Sequence, residues 1–237
     1  MNIFCVNLER AVERKQNIKK SWIENLGLDI TFWKAYDRDL ITQGQFYYQY
    51  DSEQSEKVFG RKLNNGEIAC CTSFYQLFEY VLSNDLQEVI IMEDDVVPLI
   101  NHKDMLFNSI KEAKKEFPVQ MILMHEVFTG DVTSYNNLLR ITPEVYYKEA
   151  QYSSLCKTTP WGNLMFYITK QGIVNVLNNI GKKRCSRCPF NITIWFPADY
   201  FQKIILCPKK LVSILNNSIC KHQTNPSSYI GDQYRFE

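Results

Sequence analysis

The sequence predicts an α/β fold: a mostly parallel central sheet with helices on both faces. Three observations carry that expectation. Short apolar runs such as Val89-Ile90-Ile91-Met92 and Val119-Gln120-Met121-Ile122-Leu123-Met124 do not alternate strictly, as strands buried on both faces need not. Segments with helical spacing separate them, the order of a doubly wound sheet. One of the runs ends in three acids, Glu93-Asp94-Asp95, at the edge where open α/β sheets keep their ligand crevice.

Taken in order, Ile3 to Leu8 reads as the first strand. Val12, Ile18, Trp22, Ile23 and Leu26 then keep helical spacing, and Gly27 supplies a stop. Ile30 to Tyr36 is the second strand, and Asp37 to Leu63 a long loop with some helix, a type of segment that is often functional. Asn64-Asn65-Gly66-Glu67 opens a helix whose buried face is Ile68, Cys71, Phe74, Tyr75, Phe78, Val81 and Leu82. The acidic strand follows, then a charged surface helix over residues 102–116 ended by Pro118, and the Val119 strand. Leu164 to Thr169 is a further strand, leading into a helix that carries Ile173, Val174, Leu177 and Ile180 and stops at Gly181. With no repeat and no Pro-, Gly- or Ser-rich linker, 1–237 reads as a single domain, and the stretch from about 208 to 237 is a candidate C-terminal appendage.

Composition narrows the function. Hydrophobic residues make up 45% of the 237, so a large core is expected and global disorder is excluded. A formal net charge of +1 argues against a nucleic-acid binder with a broad basic field. The 14 Tyr and 14 Phe favour aromatic-lined clefts. No stretch approaches the roughly 20 apolar residues of a membrane span, and residues 1–10 do not resemble a signal peptide. A cytoplasmic location with mostly reduced thiols among the eight cysteines is therefore expected. Cys5, Cys70, Cys71 and Cys156 read as core thiols. Lys182-Lys183-Arg184 with Arg187, Lys209-Lys210 and Lys221 fit either a solvated basic surface or peripheral contact with anionic lipid or a phosphorylated glycan.

Clustered carboxylates at a strand end can hold a hard divalent cation against a diphosphate, though an acidic turn capping the next helix would leave the same pattern. Arg10 and Arg14, four residues apart, read as one helical face, either solvated or turned to an anionic ligand. Cys185 and Cys188, followed by Cys207, Cys220 and His222, include a zinc-like pair spacing, but their second half is irregular.

Several motifs together resemble glycosyltransferase family 25, the bacterial lipooligosaccharide galactosyltransferases and glucosyltransferases. Val6-Asn7-Leu8-Glu9-Arg10 with Glu13-Arg14-Lys15 is similar to that family's opening "NLxRxxxR", and Ala35-Tyr36-Asp37 to its segment after the second strand. Residues Gly66 to Phe74 resemble its "GEIGCxxSH" helix, Ile91 to Asp95 its "hhEDD" metal motif, and Trp161-Gly162, Tyr167-Ile168-Thr169, Gly172 and Pro197-Ala198-Asp199 its later segments. Phe74 stands where the family usually has His, and Ala69 where it usually has Gly. The resemblance runs from residue 3 to about 200.

The resemblance implies a GT-A fold and inverting transfer of a hexose, galactose first, from a UDP-sugar to a hydroxyl of a lipooligosaccharide or lipopolysaccharide glycan, on a lipid A-core or free oligosaccharide. It implies Mn²⁺ or Mg²⁺ held by Asp95 and Glu93, and a donor site formed by Asn7, Leu8, Arg10, Arg14, Ala35, Tyr36, Asp37, Glu67, Ser73, Glu93 and Asp94. The aromatic Tyr36 could stack on uracil. Inverting transfer needs a general base; Asp199 is the expected one, with Glu126 and Asp131 as rivals, although Asp199 could instead cap a helix. His125 reads as packed rather than catalytic. Competing classes are a metal-dependent phosphohydrolase using Glu93-Asp94-Asp95, a non-catalytic zinc-stabilised interaction module, and an inactive relative of the family.

Overall fold

Strands that are apolar on every residue need cover on both faces, and the chain provides two layers of it. The computed structural model describes residues 1–116, 119–125, 164–180, 192–198, 212–214 and 219–223. The main sheet has the order β2-β1-β4-β7-β6-β9, from β1 (Asn2–Asn7), β2 (Thr31–Lys34), β4 (Glu88–Glu93), β6 (Met121–Leu123), β7 (Met165–Thr169) and β9 (Val212–Ile214). Pairings β1–β2, β1–β4 and β6–β9 are parallel, while β7 runs antiparallel to both its neighbours. The mostly parallel α/β sheet expected from the sequence is thus present, with one reversed strand.

Alternation along each strand sorts the core. Phe4, Val6, Val89, Ile91, Leu123, Phe166 and Ile168 face one layer, formed chiefly by α4 (Asn65–Ser83) and α6 (Lys170–Ile180). Ile3, Cys5, Ile90, Met92, Ile122, Met165 and Tyr167 face the other, closed by Ile18 and Trp22 and by Leu106 and Ile110 of α5 (Lys103–Glu116). Burying each such side chain contributes about 1.5–3 kcal/mol, so the two-sided pattern is the main determinant of the sheet.

The helix opening at Asn64 has the form its sequence predicts. Asn64 accepts from the Glu67 N–H, and the Glu67 carboxylate accepts from the Asn64 N–H, a reciprocal capping box. The first helix differs from expectation. α1 covers only Val12–Ile18, and Lys19–Glu24 continue as a π-helical turn marked by the Asn25 N–H bonded to the Lys20 carbonyl. Val12 is 60% exposed rather than part of the apolar face, because that face begins at Ile18. Trp22, carried on the π turn, donates its indole N–H to the Val96 carbonyl at 3.2 Å and so ties this layer to the segment after the acids.

The stretch expected as a long loop holds α2 (Arg38–Thr42), β3 (Gln49–Tyr50) and α3 (Ser52–Phe59), and β3 pairs with β8 (Thr193–Ile194). Within 208–237, set apart as a candidate appendage, residues 212–214 and 219–223 are described, and they hold two strands. There β9 extends the main sheet beside β6, and β10 (Cys220–His222) pairs antiparallel with β5 (Val96–Pro98). Backbone hydrogen bonding across these pairs ties the two described C-terminal strands to the earlier ones.

Gly172, in the first turns of α6, shows why a small residue follows the β7 strand. A Cβ there would lie 2.8 Å from the Gln120 carbonyl oxygen and 3.0 Å from Ile168 Cγ1. In an isolated helix, alanine would be favoured over glycine by about 1 kcal/mol. Gly172→Ala is nevertheless expected to lower the urea midpoint, because the helix would have to move off a backbone carbonyl; an unchanged or raised midpoint would show that α6 does not pack this closely.

Candidate functional site

The chain passes from β1 outward to β2, then returns across β1 to β4 and continues on the far side. The reversal of direction falls between β1 and β4, whose last residues, Asn7 and Glu93, end side by side. Open α/β sheets bind ligands at such a switch point. A pocket opens there with an empty volume of about 670 Å³, including its mouth. Its floor and walls come from Leu8, Arg10 and Arg14 after β1, Tyr36 and Arg38 after β2, Cys70, Ser73 and Phe74 on α4, and Glu93, Asp94 and Asp95 after β4. Gly66 and Ala69 keep the first turns of α4 free of bulk on this side.

The three acids have different surroundings. Asp94 is 7% exposed, and both its oxygens are engaged: Oδ2 accepts from Asn7 Nδ2 at 2.7 Å and Oδ1 from Arg14 Nη1 at 2.9 Å. Burial pushes its carboxyl above the usual range, against the pull of Arg14 and Asn7. Asn7 also donates to the Ala11 carbonyl, so one carboxamide joins the β1–α1 turn to the acidic turn. Asp95 is 8% exposed; its Oδ2 lies 3.3 Å from both Arg14 Nη1 and His222 Nε2, while its Oδ1 is buried with no hydrogen-bond partner. The Gln223 N–H donates to the Asp95 carbonyl at 2.7 Å. Asp95 in turn holds the imidazole of His222 above its ordinary range. A buried oxygen without a donor is costly, and a cation is one partner that removes the cost.

The two arginines read from sequence as one face do not share a helix. Arg10 lies in the turn before α1, because that helix starts only at Val12. Arg10 pairs with Asp37 at 2.9 Å and Asp39 at 2.6 Å in partly exposed surroundings. Such exposed pairs are worth about 0–1 kcal/mol, so an anionic ligand can compete for that guanidinium. Breaking a buried pair like Arg14–Asp94 costs about 3–5 kcal/mol, which makes Arg14 a fixture.

Other expected site residues are placed as follows. Leu8, Ala35, Tyr36, Ser73, Glu93, Asp94 and Asp95 all line the pocket. Ser73 acts through the backbone, its hydroxyl accepting from the Tyr36 N–H and donating to the Ala69 carbonyl. The Tyr36 hydroxyl donates to the Gln45 carbonyl. Glu67 and Asp37, also expected at the donor site, are engaged in other pairings. Glu67 is occupied by the capping box and a two-pronged pair with Arg61, at 2.6 and 2.8 Å, a structural use that leaves its carboxylate tied to the helix start. Asp37 caps α2, accepting from the Asp39 N–H, and pairs with Arg10. Cys70, read as core, is half-buried against the core and also lines the pocket. His125 is buried, with a ring nitrogen 3.2 Å from the Met165 carbonyl, and Cys220 is buried with its thiol toward the Met124 carbonyl. Asp199, Glu126, Asp131, Cys156, Cys185, Cys188 and Cys207 lie outside the described residues.

Sequence reasoning missed Arg38 and the placement of His222. Arg38 follows directly on Asp37, and a cation just past a strand end was a readable signal. Nothing local pointed from His222 to Asp95, because only the β5–β10 pairing brings them together.

A profile of the family described as "Glycosyltransferase family 25 (LPS biosynthesis protein)" matches residues 1–191. The chain belongs to glycosyltransferase family 25. A protein of Anopheles gambiae described as a glycosyltransferase 25 family member is 30% identical over 98 residues, and its Aedes aegypti counterpart 29% over 98. Each match covers 40% of this chain and 16% of the relative, so the matched stretch spans about a sixth of the length of those proteins. In fold, the chain is similar to the galactosyltransferase LgtC, solved with donor and acceptor sugar analogues. The TM-score is 0.50 at 10% identity, over 96% of this chain and 88% of that one. This likeness bears out the GT-A-type architecture expected from the sequence. Within this family-25 chain, the "hhEDD" segment is the acidic turn at the switch point, and His222 reaches it from beyond the family match.

Accessibility separates the thiols. Cys5, Cys71 and Cys220 are buried, and burial together with the nearby acids pushes the Cys5 thiol further from its reactive thiolate form. Among the four described cysteines, iodoacetamide followed by peptide mapping is therefore expected to label Cys70 first. Preferential labelling of Cys5 would contradict the geometry of the site.

Proposed function

We propose that the chain is a metal-dependent glycosyltransferase that moves a hexose from a UDP-sugar to a glycan hydroxyl with inversion. Galactose is the first candidate sugar, and a lipooligosaccharide or lipopolysaccharide glycan the acceptor. The observation that carries this reading is the buried, unpartnered Oδ1 of Asp95 in a pocket that also presents Arg10 and Arg38. An anionic ligand paired with a divalent cation suits that mixture of charges. Family membership supports the reaction class. The choice of galactose rests on the family resemblance of the motifs.

The residues present fit a hard divalent cation, Mn²⁺ or Mg²⁺. Asp95 and Glu93 would supply carboxylate oxygens, with His222 beside them, and one or two protein carboxylates suffice when substrate phosphates complete the set. Bound there, the ion would supply Lewis-acid stabilisation of the charge that develops on the departing diphosphate. The protein's own part is positioning. Arg10 and Arg38 attract the diphosphate, Leu8, Ala35 and Tyr36 offer a wall for the base, and Asn7 with Arg14 fixes the acidic turn. For the base we retain Asp199, with Glu126 and Asp131 as rivals. In support, the Phe196 carbonyl just upstream accepts from the Cys71 thiol of α4, so the chain leading to Asp199 is anchored to a helix that walls the pocket.

Among the described residues no helix is long and apolar enough to cross a membrane. A cytoplasmic enzyme, with peripheral contact to anionic lipid through the basic C-terminal third, is the accompanying proposal.

Thermal shift with UDP-galactose, UDP-glucose, UDP-N-acetylhexosamines and a CMP-sugar, each with Mn²⁺, tests the donor class, because only ligands favouring the native state raise the midpoint. A UDP-hexose is expected to give the largest shift, and a flat panel would sink the reading. EDTA should abolish turnover and leave the far-UV circular dichroism intact; a zinc-stabilised module would unfold instead. Asp95→Ala should abolish Mn²⁺-dependent donor binding, whereas Asp199→Asn should leave it near normal and lower turnover by on the order of 10²–10⁴. If Glu126→Gln or Asp131→Asn is the variant that loses turnover, the base is there.

A further inference from the structure

Arg14 occupies an unexpected place for a residue of a donor-binding motif. Its Nη1 is 2.9 Å from Asp94 Oδ1 and 3.3 Å from Asp95 Oδ2, and its side chain is largely buried in the pocket wall. The guanidinium thus bridges the two aspartates of the acidic turn, of which Asp95 is a candidate cation ligand. Asp94 is closed off by Asn7 on its other oxygen, and Asp95 is left with one oxygen unpartnered. Among the described residues, no three His, Cys, Asp or Glu side chains converge into a ready metal cage. A single fixed positive charge within a few Å lowers the attraction of this turn for a dication, while a diphosphate placed beside it restores that attraction. Hard cations of this size bind through one or two carboxylates together with substrate phosphates.

We propose that Arg14 is a positioning residue that makes divalent-cation binding at Asp95 conditional on the donor diphosphate, by acting as a built-in counter-ion to the acidic turn. The proposal rests on the reading of the pocket as a metal-assisted nucleotide-sugar site. It assigns Arg14 to the acids and not to the donor. It also separates Asp94, which anchors Arg14, from Asp95, which faces the cation. Reciprocity follows from linkage: whatever factor UDP adds to Mn²⁺ affinity, Mn²⁺ adds to UDP affinity.

The test is Mn²⁺ binding by the full chain, read by water-proton relaxation enhancement with and without UDP, and UDP binding in EDTA by calorimetry. In the wild type, UDP should tighten Mn²⁺ at least about tenfold, a typical coupling between sites. Arg14→Gln should tighten Mn²⁺ alone by about tenfold, as loss of one nearby charge implies, and shrink the enhancement by UDP. Arg14→Lys, which keeps the charge, should stay near wild type. Asp94→Asn should act in the opposite direction, weakening Mn²⁺ alone while enlarging the UDP enhancement, and it serves as the deciding variant should Arg14→Gln not fold. Several outcomes overturn the proposal and leave the function intact. One is unchanged or weakened Mn²⁺ binding in folded Arg14→Gln. Another is loss of UDP binding in EDTA by that variant, which would mark Arg14 as a donor contact. A third is equal weakening by Asp94→Asn with and without UDP, which would mark Asp94 as a direct ligand. Absence of Mn²⁺ binding to the wild type even with UDP would overturn the functional reading, and this inference with it.

Discussion

Two consecutive carboxylates, both more than nine-tenths buried, sit at the end of β4, and much of the molecule is arranged around that cost. Moving an ionised acid out of water is unfavourable by several kcal/mol unless charges and donors surround it. The β1–α1 segment supplies Asn7 and Arg14, and the C-terminal strand β10 supplies His222, while the Gln223 N–H just after it holds the main-chain carbonyl of Asp95. These partners come from opposite ends of the chain. They meet because β1 lies next to β4 and because β10 pairs with β5 just after the acids. The compensation is complete at Asp94 and incomplete at Asp95, and that asymmetry gives the two neighbouring residues different chemistry.

The same reasoning divides the cations. Burial makes Arg14 part of the framework, whereas Arg10 and Arg38 stand at partly exposed positions where a ligand can draw on them. The pocket wall on α4 is less polar than its family motif implies. Phe74, in the place of the usual His, is buried in the apolar layer and stacks at a tilt on Phe78 and Phe166, with centroids 6.4 and 6.0 Å away. Aromatic packing occupies that position, and the polar side chains that α4 gives to the wall are Ser73 and Cys70.

Reversal of β7 also has a functional side. Strand β7 inserts antiparallel between β4 and β6, its residue Met165 opposite Met92, and the Glu93 N–H bonds to the Leu164 carbonyl. The strand carrying the acids is therefore held on both edges, by β1 and by β7, up to the residue where the acidic turn begins. A turn fixed in this way can keep its carboxylates in one arrangement without flexible loops to hold it.

The sequence by itself determined the sheet, the two-sided core and the α4 cap, because periodicity and capping are local: Val89 to Met92 could not be exposed on either face, and Asn64 with Glu67 closes a box within one turn. It also located the acidic turn, since three acids after a buried strand are a local anomaly. Tertiary structure alone decided which acid is anchored and which is open, that Asp37 pairs with Arg10, that Arg10 and Arg14 part company, and that β9 and β10 join the earlier strands. Each of those depends on pairings between residues from 27 positions apart (Arg10 and Asp37) to 127 (Asp95 and His222), and charge partners at such separations leave no periodic trace in the chain.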